Sequence, residues 1–107
     1  MTRGFCLSVA FVLLIAATAL AEDARPRLLV LTDIGGDPDD TQSLVRLLVH
    51  SNEFEIEGLI ASAAGVPGEL KEAITRPDLI RQVVEAYGQV QPNLAKHAAA
   101  FPSAENL

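Results

Sequence analysis

The stretch TDIGGDPDD, Thr32 to Asp40, carries four aspartates, Asp33, Asp37, Asp39 and Asp40, and no lysine or arginine. Carboxylates crowded this closely repel one another unless something compensates them. Oxygen donors alone, without His or Cys, suit a hard dication such as Ca²⁺ or Mg²⁺ rather than zinc. Gly35 and Gly36 allow the backbone to turn sharply and bring Asp33 back toward Asp39 and Asp40. A carboxylate beside such an ion can take a proton from bound water, whose pKa the ion lowers. Helix capping is the competing account. Asp39 or Asp40 at a helix start is worth about 1 kcal/mol, and an acidic first turn favours the helix dipole. Capping leaves Asp33 and Asp37 unexplained. The spacing fails the EF-hand pattern, and neither G-x-x-x-x-G-K-[ST] nor G-x-G-x-x-G is present, which excludes the usual nucleotide phosphate loops.

These aspartates need elements to hold them. Before them, RLLVLT (Arg27 to Thr32) is a short continuous apolar run, which predicts a strand covered on both faces, as in a parallel sheet. After them, Leu44, Val45, Leu47 and Leu48 fall at helical spacing, predicting a helix from Asp39 or Asp40 to His50. SNE breaks that helix, and FEIEGLIASAAG reads as a second strand. Strand, helix, strand is a βαβ unit, expected to cross over right-handed. Its loop at the carboxyl end of the first strand is where open α/β sheets bind ligands. VPGELKEAIT reads as a loop with a helical turn. RPDLIRQVVEAYG predicts a helix opened by Pro77 and Asp78 and closed by Gly88, with Tyr87 on its core stripe. The remainder, QVQPNLAKHAAAFPSAENL, reads as an irregular connection. Two parallel strands leave both sheet edges open, so residues 22–107 are expected to be the N-terminal portion of a larger α/β domain.

The first 21 residues stand apart. MTRGFCLSVAFVLLIAATALA has Arg3, an apolar run from Phe5 to Leu20 and an A-x-A ending at Ala19-Leu20-Ala21, the pattern of a signal peptide cleaved after Ala21. The single cysteine, Cys6, lies within it, so the mature chain is expected to be secreted or periplasmic and free of disulfides. Removing that segment takes Arg3 with it and lowers the formal charge from −6 to −7. Such a charge disfavours nucleic acid and anionic membrane surfaces as partners. His97, alone in a connection, reads as a surface residue. Arg46 and Glu53 read as members of solvated faces.

LLVLTDIGGDPDDTQSLVRLL resembles the opening of the nucleoside hydrolase superfamily, a strand ending in D-x-D-x-G-x-D-D followed by a helix. SNEFEIEGLIA, EAYGQVQPNLAKH and FPSAENL are similar to a bacterial branch of nucleoside-hydrolase-like domains associated with proteins described as cellulose-binding. The resemblance implies a Rossmann-like parallel-sheet domain that cleaves N-glycosyl or related glycosyl bonds with a water activated at Ca²⁺. It implies Asp33 as calcium ligand and general base, Asp40 as a ligand through both oxygens, and Asp39, together with Asp37, as substrate-binding, with Asp39 holding the sugar hydroxyls. Asp33 and Asp39 stand further apart than in the usual motif, so either Asp33 or Asp37 takes the base's place. Leu31 stands where the family has its first aspartate, and Val66 where it has an asparagine that helps bind ribose. A non-catalytic carbohydrate-binding or accessory module is the alternative. The family's remaining groups lie in a C-terminal half, so the 107-residue chain is expected to be inactive alone and to bind calcium weakly.

Overall fold

The computed structural model describes residues 24–63 and 73–107. The signal-like segment, Cys6 and the loop containing Val66 lie outside them. Strand β1 spans Arg27–Thr32 and helix α1 spans Pro38–Val49. A 3-10 turn over Ser51–Glu53 leads into strand β2, Glu55–Ala61. Helix α2 spans Pro77–Leu94, and a second 3-10 turn covers Ala104–Asn106.

The two strands pair in parallel, with Arg27 opposite Glu55 and Thr32 opposite Ala61. The register slips between Leu28 and Leu29, where Leu28 faces Ile56 but Leu29 faces Gly58. The α/β class and the βαβ order expected from the sequence are therefore present. Apolar side chains of α1 and α2 converge on the core, Leu44 and Leu48 from α1 and Ile80 and Tyr87 from α2. Ile56, Leu59 and Ala61 of β2 pack against this cluster. The apolar run of β1 suggested cover on both faces, but among the described residues one face is bare. Leu29 is 57% exposed, Leu31 64% and Ile60 44%.

Both predicted helix boundaries shift. Helix α1 starts at Pro38 rather than Asp39 or Asp40, because proline's fixed φ suits the first helical position and its missing N–H is not needed there. Helix α2 runs through Gly88 to Leu94, so Gly88 does not close it and QVQPNL is helical. The glycine serves a close approach instead: a Cβ there would lie 3.0 Å from the Ala104 Cβ. Pro92 removes one backbone donor inside the helix. Tertiary bonds hold the turn around it. The Gln91 amide donates to the Phe101 carbonyl at 3.2 Å, and the Tyr87 hydroxyl donates to the Pro102 carbonyl at 2.8 Å. Tyr87 lies in the core as its spacing predicted, 3.2 Å from the hydroxyl of the fully buried Ser51.

Candidate functional site

The aspartate loop leaves the carboxyl end of β1 and enters α1. Its first fixed point is the backbone of Thr32, whose carbonyl accepts the Ser62 N–H at 2.8 Å. Ile34 is the second: at 1% exposure it sits in the hydrophobic core and ties the loop to the helices. Gly35 follows with φ of 110°, a conformation that side chains with a Cβ rarely adopt. A Cβ at Gly35 would also lie 3.0 Å from Cγ of Arg76 and 3.2 Å from Cδ1 of Leu79, so the loop packs closely on the start of α2. Asp37 then takes the N-cap position in extended backbone, and Pro38, Asp39 and Asp40 form the first turn of α1.

That geometry revises the capping account. The cap is Asp37, not Asp39 or Asp40, and its side chain makes no capping hydrogen bond. The carboxylates turn toward one another. One oxygen from each of Asp37, Asp39 and Asp40 lies within 4.8 Å of the others. Asp37 and Asp39 are exposed, while Asp40 is half-buried. Asp33 stands outside this trio yet close to Asp40. Burial pushes the Asp40 carboxyl above the usual carboxylate range, and the negative charge of Asp33 pushes it further. The Thr32 hydroxyl, donating to Asp40 Oδ1 at 3.2 Å, pulls the other way, while a side-chain hydrogen bond with Asp33 and the charge of Asp39 add to the rise.

Among the described residues, ion pairs form between Arg27 and Glu57 and between Arg76 and Asp78, and neither reaches the cluster. Three convergent carboxylates, oxygen donors only and paired with no cation among the described residues, fit a hard dication. Of the other residues singled out in the sequence, Arg46, Glu53 and His97 are exposed. Spacing alone passed over Thr32 and Ile34. Their signals were present: a hydroxyl ending an apolar strand, and one large apolar residue within an otherwise polar loop.

A family profile described as "Cellulose-binding Sde182, nucleoside hydrolase-like domain" matches residues 27–107. The chain belongs to this family. The nucleoside hydrolase-like assignment thus covers every element described above, from the first residue of β1 onward. Among solved structures, the chain is similar to a nucleoside hydrolase-related hypothetical protein from Saccharophagus degradans that is associated with carbohydrate metabolism. The two share 38% identity with a TM-score of 0.61 over 78% of this chain. The chain spans 19% of that protein's length. A comparison with curated proteins finds no match.

Proposed function

We propose that this chain supplies the aspartate loop of a hydrolase-like domain acting on N-glycosyl or related glycosyl bonds of a carbohydrate substrate, with calcium as the cation. The observation carrying this reading is the meeting of Asp37, Asp39 and Asp40 at the end of β1, with Asp33 beside Asp40 and no described protein cation against them. When bound, calcium would lower the pKa of a coordinated water and neutralise the crowded charge. Asp40, a member of the converging trio, would hold it together with Asp33, which lies outside the trio but beside Asp40. Asp39, exposed on the first turn of α1, would accept hydrogen bonds from sugar hydroxyls. Asp33 or Asp37 would take the proton from the attacking water. We also propose that residues 1–21 direct export and are removed after Ala21.

The test is hydrolysis of nucleosides and aryl glycosides by the full-length protein, with calcium present and after chelation. Turnover that falls on chelation and in Asp33→Asn or Asp37→Asn supports the reading, and the variant that loses turnover while still binding calcium identifies the base. The second reading is a carbohydrate-binding module that keeps the fold without the chemistry. Leu31 favours it, an apolar side chain where the hydrolases have an aspartate, as does the cellulose-binding description of the family. Binding of soluble glycans or cellulose without turnover would support that alternative.

A further inference from the structure

We infer that Thr32 is a positioning residue for the cation site, its hydroxyl fixing the Asp40 carboxylate in the orientation that receives the ion. The inference rests on the cation reading above and concerns how that site is held. Thr32 is the last residue of β1, opposite Ala61, and its carbonyl is anchored by the Ser62 N–H at 2.8 Å. The residue therefore belongs to the sheet rather than to the loop. Its hydroxyl reaches across to Asp40 Oδ1 at 3.2 Å, eight positions later in the chain.

That bond joins the end of β1 directly to the first turn of α1 and bypasses the intervening loop. Asp37 and Asp39 are both exposed and have no such bond among the described residues. Asp40 is thus the half-buried member of the trio, and its carboxylate is held by a group on the sheet. Holding one oxygen from the strand leaves the carboxylate fewer orientations to lose when an ion binds. An ion-binding constellation gains from such support because its ligands are already in place.

The experiment uses the whole chain with calcium alone, read by titrating the amide resonances of residues 32–37, 39 and 40. Thr32→Val keeps the side-chain shape and removes the donor; Thr32→Ser keeps the donor. Because hydrogen bonds to charged groups are the stronger kind, Thr32→Val is expected to weaken calcium binding about tenfold. Thr32→Ser is expected to stay within about twofold of the wild type, a rescue that a purely packing role would not produce. Amide shifts of α2 that match the wild type verify that each variant is folded, and Thr32→Ala serves if the valine variant is not. Wild-type affinity in both Thr32→Val and Thr32→Ala would overturn the role of Thr32 while leaving the cation reading intact. Binding to this chain is expected to be weak, so the titration extends into the millimolar range, and a wild-type chain without calcium-dependent shifts there would overturn both.

Discussion

Asp40 is the residue at which burial, like charge and hydrogen bonding meet. Its carboxyl titrates above the ordinary value of 3.8, so the folded state keeps the extra proton over a range where the unfolded chain has lost it. Stability contributed by this group is full below 3.8 and declines as pH rises through the raised folded value. In the absence of dications, Asp40→Asn is therefore expected to melt at a higher temperature than wild type at pH 7. The difference should shrink on acidification, and thermal scans across pH would show it. Added calcium should narrow it too, by stabilising only the chain that retains the ligand. Equal melting temperatures at pH 7 without calcium would show that the Thr32 hydroxyl fully compensates the burial and repulsion.

At the scale of elements, the aspartate loop is held by its one large apolar side chain. Ile34→Ala removes a buried anchor shared with Leu44 and Leu48 and is expected to cost about 2–4 kcal/mol in chemical denaturation. Gly35→Ala meets both an unfavourable φ and the side chains of Arg76 and Leu79, with an expected loss of about 1–3 kcal/mol. A loss under half a kcal/mol for either would mean that the loop is not anchored as described. The other end of the domain depends on Tyr87. Tyr87→Phe leaves the buried Ser51 hydroxyl without this neighbour and the Pro102 carbonyl without its donor, for an expected cost of about 1–2 kcal/mol. Faster amide exchange across residues 101–107 in that variant would locate the loss at the C-terminal segment.

For the whole molecule, the bare sheet face decides behaviour in solution. Among the described residues, Leu29, Leu31 and Ile60 are large and exposed, and the two-stranded parallel sheet leaves its edges unpaired. The 107-residue chain is expected to self-associate at micromolar concentrations, and Leu29→Lys combined with Ile60→Lys to raise the monomer fraction in sedimentation. An unchanged distribution would assign any association to another surface. Among the described residues, no helix is long and apolar enough to cross a membrane. The proposed cleavage after Ala21 predicts that the secreted or periplasmic protein begins at Glu22, which N-terminal sequencing reads directly.

Much of this was legible in the residues themselves. An apolar strand, an acidic Gly-Pro loop and amphipathic helices follow from side-chain types and spacing, because backbone propensity and hydrophobic period act locally. Asp33, Asp37, Asp39 and Asp40 were likewise visible as a crowd of charge that capping alone leaves partly unexplained. Their relative placement was not, since spacing along a loop does not determine which oxygens converge. Only the folded chain gathers Asp37, Asp39 and Asp40, leaves Asp33 against Asp40, and brings the Thr32 hydroxyl across from the strand. The end of α2 shows the same division. Gly88 signals a helix stop, yet contacts with Phe101, Pro102 and Ala104 carry the helix past Pro92 to Leu94. Local preference determined which elements form; where they start, where they stop and which side chains meet depended on contacts between residues distant in the chain.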